Sequence, residues 1–385
     1  MCLPSRPERH PLCCIVPPYL LAHLARSRVP RLRRLADAAL RTLVATEQLR
    51  GARNALGTAG RLITISTGTR RRTIYDAAQG SGLPGTLVRG EGEPASRDVA
   101  VNEAYDGLGA TYDLFHDVYG RNSIDGRGSR LDATVHYRQR FNNAFWNGRQ
   151  MVFGDGDGVI FQRFTRSLEV IGHELTHGVT QFEAELDYSG QPGALNESVS
   201  DVFGSLVKQY ALRQSADDAD WLIGAGLFAR GVKGVALRSM KAPGTAYDDP
   251  RIGKDPQPGH MRDYVETEDD SGGVHINSGI PNRAFYLAAT AFGGRAWETA
   301  GHVWYRALAD VLKQDATFKD AARATTAVAG TDFGADAAAI IREAWRGVGV
   351  SFRGASSKPK ESQGADPHRA KRRPRRAASR ARRRD

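Results

Sequence analysis

The residues best suited to chemistry lie between Val170 and Asp201, where the chain reads V-I-G-H-E-L-T-H-G-V-T, a spacer, and then A-L-N-E-S-V-S-D. His173 and His177 are four apart, so on a helix both imidazoles leave one face a turn apart, close enough to share a metal ion. Glu174 lies between them and reaches the same spot. Glu197 follows His177 after nineteen intervening residues and is a candidate third ligand. Asn196 and Asp201 flank it and supply groups that would orient the imidazoles.

A second polar constellation lies further on, in Asp269-Asp270-Ser271-Gly272-Gly273-Val274-His275-Ile276-Asn277. The glycines make this a turn-forming loop just before a helix, and His275 follows Asp270 by five residues. A carboxylate beside an imidazole favours the cation, a good donor to a developing oxyanion.

The elements that must position these groups follow from periodicity. Ala133 to Arg138 alternates in strand fashion, Phe141 to Trp146 carries N-N-A-F-W, and Met151 to Phe153 runs into the turn-rich G-D-G-D-G. This predicts an extended strand edge immediately before the metal helix, and such an edge is the natural partner of an extended peptide. Val101, Tyr105, Leu108 and Tyr112 give Val99 to Tyr119 a helical pattern. After the second acidic motif, helices are expected from Asp201 to Tyr210, from Pro281 onward, and over Trp297 to Leu312, Phe318 to Val328 and Ala335 to Val348. Near the N-terminus, residues 19 to 50 read as one helix stopped by Gly51, either an ordinary amphipathic helix or a detachable segment packed on the body. Gly57 to Gly92 is rich in Gly, Thr and Arg, with short β-like runs such as Leu62 to Ser66, and suits an exposed, cleavable connection.

A chain of 385 residues with 41% hydrophobic residues holds two or three domains with filled cores. The net charge of +11 belongs to the ends. Gly354 to Asp385 has twelve Lys/Arg against three Asp/Glu and Met1 to Leu56 has ten against three, so the remainder is net −5. Cys2, Cys13 and Cys14 all fall in the first fifteen residues, which leaves the body without a disulfide framework. A Cys13 or Cys14 thiolate capping the metal is a further idea. No apolar stretch reaches the roughly 18 to 20 residues of a membrane span. The N-terminus lacks a proper signal peptide, because Pro17 and Pro18 break its short apolar run. The expected location is therefore the cytoplasm or a non-classical secretion route.

In order along the chain, N-N-A-F-W-N-G with G-D-G-D-G, then G-H-E-L-T-H, N-E-S-V-S-D and G-G-V-H-I-N-S-G resemble the thermolysin-like neutral metallopeptidases, specifically their protealysin-like branch, from about Leu83 to about Gly349. P-P-Y-L-L, from Pro17 to Leu21, is similar to the short propeptide of that branch. The resemblance implies an α+β fold, a two-lobed zincin with a β-rich N-terminal lobe, an α-helical C-terminal lobe and the zinc site in the cleft between them. The corresponding division is a propeptide-like segment 1–56, a linker and maturation region 57–82, lobes 83–186 and 187–353, and a basic tail 354–385 that reads as disordered.

The resemblance also assigns roles. His173, His177 and Glu197 would bind one catalytic Zn²⁺ and leave a fourth position for water. Glu174 would act as general base, Tyr188 and His275 would stabilise the oxyanion, and Asp270 would orient His275. Asp201 and Asn196 would support the metal histidines. Asn143 and the backbone of Ala144 would hold the substrate strand, and Arg238 would grip a carbonyl beside the scissile bond. Phe161, Phe164, Val170, Ile223 and Leu237 would line the pocket for the residue after the cut, giving a hydrophobic preference there, although each suits plain core equally.

One departure stands out. Three positions of the family's paired-calcium cage are Lys208, Leu222 and Ala225, leaving Glu169 and Asp220, so the double calcium site is expected to be absent. The implied activity is that of a zinc endopeptidase made as a zymogen, acting on peptide or protein substrates and inhibited by its own N-terminal propeptide. The other reading is a toxin-like or polyanion-binding protein whose tail, Lys371 to Arg384, contacts nucleic acid or an anionic surface through phosphates, without aromatics for stacking. The bland reading of the tail is a solubilising extension.

Overall fold

The computed structural model describes residues 12–27, 29, 32–56 (backbone alone for 51–56) and 69–352. All belong to one unit. Cys2, the β-like run at Leu62 to Ser66 and the basic tail lie outside the described residues.

The β-rich part is built on a six-stranded mixed sheet. Its strands are β1 (Cys13–Cys14), β2 (Arg72–Asp76), β3 (Thr86–Arg89), β4 (Leu131–Val135), β5 (Ala144–Trp146) and β6 (Met151–Phe153), in the order β1-β5-β6-β4-β2-β3. The β4 strand runs parallel to both β2 and β6, while β5 is antiparallel to β6 and β1. The run Ala144-Phe145-Trp146 is buried on both faces. Its far edge, expected to receive an extended peptide, is covered by the chain's own N-terminal strand, with Cys13 opposite Trp146 and Cys14 opposite Phe145.

Two helices follow β1: α1 (Pro18–Ala25) and α2 (Arg33–Leu56). The single helix expected over 19 to 50 is therefore corrected. The sequence has Pro30 in that span, and proline both lacks an N–H and disfavours helix in the residue before it. Gly51 does not stop α2, which continues to Leu56, because one glycine costs a helix only about 1 kcal/mol. The apolar side of α1, Leu20, Leu21 and Leu24, is buried in the main core cluster.

Helix α3 (Val99–Tyr119) is capped by Asp98, whose side chain accepts from the Ala100 N–H, and ends at the left-handed Gly120. Helices α4 (Leu168–Phe182) and α5 (Gly190–Leu212) form the central pair. Their backbones approach closely at Gly204, where a Cβ would lie 2.4 Å from the Glu169 carbonyl oxygen and 3.1 Å from the His173 nitrogen. Two short ribbons follow. The first pairs β7 (Leu222–Ile223) with β8 (Arg238–Ser239), setting Ile223 opposite Arg238, and the second pairs β9 (Asp248–Asp249) with β10 (Gly253–Lys254).

The rest is helical: α6 (Asp270–Asn277), α7 (Gly279–Phe292), α8 (Ala300–Asp310), α9 (Phe318–Phe333) and α10 (Ala335–Gly347). The loop reading for His275 is corrected, since His275 lies within α6, after a kink in which Ser271, Gly272 and Gly273 are left-handed. Helix α7 starts two residues before Pro281, and α8 is shorter at both ends than expected. No described helix is long and apolar enough to cross a membrane.

Helix α4 poses the energetic problem that the site must solve. Every residue from Glu169 to Thr180 is buried, including His173, Glu174 and His177. Ionisable groups removed from water on this scale are tolerated only when they are paired, hydrogen-bonded or bound to an ion.

Candidate active site

Helix α4 supplies His173, Glu174 and His177, and α5 supplies Asn196, Glu197 and Asp201 across the close helix crossing. Each metal-facing imidazole is fixed through its other nitrogen. His173 Nδ1 donates to Asp201 Oδ1 at 2.7 Å, and His177 Nδ1 donates to Asn196 Oδ1 at 2.8 Å, with Ser200 Oγ 3.0 Å away. With those protons committed, both Nε2 atoms present lone pairs, and they face one another at 3.0 Å. The Glu197 oxygens lie 3.5 Å from each Nε2.

These separations test whether a metal fits. Tetrahedral zinc with bonds of about 2.0–2.1 Å separates its ligand atoms by about 3.3 Å, close to the 3.0 Å between the imidazole nitrogens and to the 3.5 Å from each of them to one oxygen of the carboxylate. Burial depresses the His177 pKa to about 3, against the opposing pull of Glu197, and so keeps the ring in the neutral form that ligates metals. Glu197 Oε2 and Glu174 Oε1 are buried without a hydrogen-bond partner. Two converging lone pairs and an unmatched carboxylate oxygen are what a bound cation resolves. Among the described residues His173, His177 and Glu197 form the group able to hold one.

The other groups converge on the same place. Tyr188 donates its hydroxyl to Glu197 Oε1 and lies 3.4 Å from His275 Nε2. Burial, with Glu197 adding to it, holds the Tyr188 phenol well above its ordinary range, so it remains a donor. Burial opposes charge on His275, but Asp270 and Glu197 outweigh it and raise its pKa. Asp270 accepts from both His275 Nδ1 at 2.6 Å and the His275 backbone N–H at 2.9 Å. The left-handed run at the start of α6, with Asp270 itself at φ 55°, aims this carboxylate back at the histidine.

Glu174 takes the backbone N–H of Trp146 on Oε2 at 3.0 Å. Burial, then the nearby Glu197, drive its pKa well above the carboxylate range. Arg238 is 1% exposed and forks onto Asp201 through Nε and Nη2, both at 2.8 Å. Burial disfavours the charge on Asp201, yet Arg238 and His173 hold its pKa far below normal.

Asn143, Ala144 and Arg238, expected to hold a substrate strand, grip the N-terminal segment. Ile15 N donates to the Ala144 carbonyl at 3.2 Å, Val16 N to Asn143 Oδ1 at 3.0 Å, and Asn143 Nδ2 to the Val16 carbonyl at 3.4 Å. Arg238 Nη1 donates to the Ile15 carbonyl at 3.1 Å, and His275 Nε2 lies 3.1 Å from the Cys14 carbonyl. The backbone of Cys14, not its thiol, thus faces the site. The Cys14 side chain packs with Leu12, Tyr137, Phe141 and Phe145, where burial raises its pKa, while Cys13 packs on Tyr188 and Val274. Phe161, Phe164, Val170, Ile223 and Leu237 are all buried in one cluster with Ile15.

Several members of the site escaped the sequence reading. Asn282 donates to Asp201 Oδ2 at 2.8 Å, and Gln257 Nε2 donates to the His275 carbonyl at 2.8 Å. Asn282 lies in the first turns of the apolar α7, and Gln257 lies in a loop between two prolines, so neither has a strong local signal. Where the double calcium site is expected to be absent, Lys208 Nζ lies 2.7 Å from Asp220 Oδ2 and 3.5 Å from Glu169 Oε1.

Comparison with known proteins fits this geometry. Residues 49–181 match the family model of the thermolysin metallopeptidase catalytic domain, and residues 184–350 match that of its alpha-helical domain. The chain belongs to the thermolysin metallopeptidase family. It is 52% identical over 347 residues to an extracellular metalloprotease of Pectobacterium carotovorum subsp. carotovorum, covering 90% of this chain and 99% of the relative. An extracellular minor metalloprotease of Serratia marcescens is 46% identical, covering 73% of this chain and 78% of the relative. The solved precursor of protealysin from Serratia proteamaculans superposes with a TM-score of 0.81 at 53% identity, covering 88% of this chain and all of that one.

This thermolysin-like chain is a metallopeptidase, with a β-rich catalytic domain followed by an α-helical one. The location expected from the N-terminus is corrected. Relatives that match most of the chain are named extracellular, which points to secretion and against the cytoplasm. A weak apolar run at the N-terminus was a poor guide to location, because it reports on one export signal only.

Proposed function

We propose that the chain is a zinc endopeptidase made as a zymogen, in which His173, His177 and Glu197 hold one zinc ion. The observation that carries this is the buried cluster in which two imidazole nitrogens 3.0 Å apart each lie 3.5 Å from an oxygen of the Glu197 carboxylate, with Glu174, Tyr188 and His275 gathered around it. Zinc, when bound, acts as a Lewis acid that polarises the peptide carbonyl and acidifies water. Glu174 takes the proton of the attacking water and passes it to the leaving amine. Its raised pKa suits a group that must both accept and return a proton. Tyr188 and His275 donate to the oxyanion that develops on the carbonyl, and Asp270 holds His275 charged and aimed.

A substrate strand adds to the free edge of β5, held by the Ala144 carbonyl, the Asn143 carboxamide and Arg238. The buried apolar set Phe161, Phe164, Val170, Ile223 and Leu237 selects a hydrophobic residue after the cut. In the precursor, segment 1–56 covers that edge and inhibits, and residues 57–82 contain the connection cut on maturation. Lys208 replaces the calcium pair, its ammonium supplying the positive charge between Glu169 and Asp220. The test is Glu174→Ala in the full chain. Loss of casein hydrolysis together with loss of N-terminal processing is expected, and retention of both at the normal rate would refute the mechanism.

A further inference from the structure

We infer that the Cys14–Ile15 peptide bond occupies the position of the bond the site hydrolyses, and that the chain cuts itself there. This rests on the catalytic roles proposed above for Glu174 and His275. Hydrolysis of a peptide needs the carbonyl oxygen at the oxyanion donors, the leaving nitrogen beside the proton carrier, and the flanking residues pinned so that the plane cannot turn. One peptide unit meets all three conditions. The Cys14 carbonyl oxygen is 3.1 Å from His275 Nε2. The Ile15 nitrogen is held by the Ala144 carbonyl at 3.2 Å, on the strand whose Trp146 N–H binds the Glu174 carboxylate at 3.0 Å. Beyond the bond, Arg238 fixes the Ile15 carbonyl and Asn143 fixes both backbone groups of Val16. The Ile15 side chain is 0% exposed, in the cluster that contains Val170, Ile223 and Leu237.

The sequence also locks this register. Slipping the strand by one residue would swap its side chains between faces. Slipping it by two in one direction would place Pro17 and Pro18 where Ile15 and Val16 now donate their N–H groups to Ala144 and Asn143, and proline has none to give, while the opposite slip would replace Ile15 by Cys13 in its apolar cluster. The same prolines end the strand and start α1 at Pro18, so the segment is pinned on its C-terminal side by the buried Leu20, Leu21 and Leu24.

The reaction adds water across the bond. The water oxygen bonds to the Cys14 carbonyl carbon, the carbon–nitrogen bond breaks, and the proton taken by Glu174 goes to the Ile15 nitrogen. The second water proton leaves the new carboxyl group for the same nitrogen, so the products are a Cys14 carboxylate and an Ile15 ammonium. Among the described residues, the piece ending at Cys14 then keeps a two-residue strand and its small cluster, whereas the piece beginning at Ile15 keeps α1 and α2. Release of the first piece uncovers half of the edge before the connection is cut.

The full chain is incubated with zinc and followed by intact mass and N-terminal sequencing at several protein concentrations. A species beginning at Ile15 is expected, at a rate unchanged by dilution and absent from Glu174→Ala. In Glu174→Ala itself, hydrogen exchange should show the Ile15 and Val16 amides protected. Ile15→Asp, which would bury a carboxylate, should abolish the cut while the matured protein still hydrolyses casein. Casein hydrolysis with the Cys14–Ile15 bond intact throughout, fast exchange at those two amides, or an undiminished cut in Ile15→Asp would each overturn the inference and leave the proposed function standing. Absence of both casein hydrolysis and the cut would overturn the two together.

Discussion

Asp201 is the residue on which the site's rigidity most depends, and its removal has a calculable consequence. Its carboxylate is fully buried and takes four hydrogen bonds, one from His173, two from Arg238 and one from Asn282, all at 2.7 to 2.8 Å. Asp201→Ala strands the Arg238 guanidinium, itself 1% exposed, without a counter-charge. Breaking a buried pair from one side costs about 3–5 kcal/mol, a large part of the roughly 5–15 kcal/mol that a typical domain has. The His173 ring also loses its orienting acceptor, which costs about 10–100-fold in metal affinity.

The two effects separate in a double variant. Asp201→Ala with Arg238→Met removes both buried charges and should regain most of the stability, read as the midpoint of denaturant unfolding. Zinc affinity, read by competition with a chelator, should stay low, because His173 is still unsupported. A midpoint loss under about 1 kcal/mol in the single variant would refute the buried-pair account. Normal zinc affinity in the double variant would refute the orienting role.

The other expectations are simpler to test. His136 lies between Asp155 at 2.9 Å and Asp98 at 2.8 Å, and the Asp155 hydrogen bond, with Asp98 adding to it against burial, raises its pKa from 6.5 to about 9. Because the folded value is the higher one, this clamp stabilises fully below pH 6.5 and fades as pH rises through about 9, so His136→Gln should cost about 2 kcal/mol at pH 6 and little at pH 10. Equal losses at both pH values would exclude the clamp. Gly204→Ala puts a Cβ 2.4 Å from the Glu169 carbonyl oxygen and should destabilise by about 1–3 kcal/mol in urea unfolding while weakening zinc binding, and a neutral substitution would contradict the close crossing. Added calcium should leave the melting temperature of the core unchanged, given Lys208 between Glu169 and Asp220, and a calcium-dependent rise abolished by Asp220→Ala would refute this.

Much of this was legible in the sequence because it was local. The spacing of His173 and His177 needs only a helix to become a shared face, and Val99 to Tyr119 declares itself by periodicity and its Asp98 cap. Met151 to Phe153 was equally plain, since strand pattern and turn adjoin. What stayed hidden was set by contacts between distant parts of the chain. Nothing near Asn282 announces Asp201, 81 residues away, and nothing near Trp146 shows that its N–H meets Glu174. The strand at Cys13–Cys14 is two residues long, too short for any alternation, and exists only because β5 offers it an edge. The helix over 19 to 50 failed for a different reason, that its periodic apolar residues continue across a proline whose backbone effect outweighs them.

The central claim, that a zinc ion and Glu174 together hydrolyse peptides here, is tested most directly by titrating zinc into metal-free matured protein. Bound metal and casein hydrolysis are followed side by side in the wild type and in Glu174→Ala. Activity should rise in step with zinc and saturate at one ion per chain, while the variant binds the same ion and stays inactive. Hydrolysis by the metal-free protein, or by the zinc-loaded variant at the wild-type rate, would contradict the account.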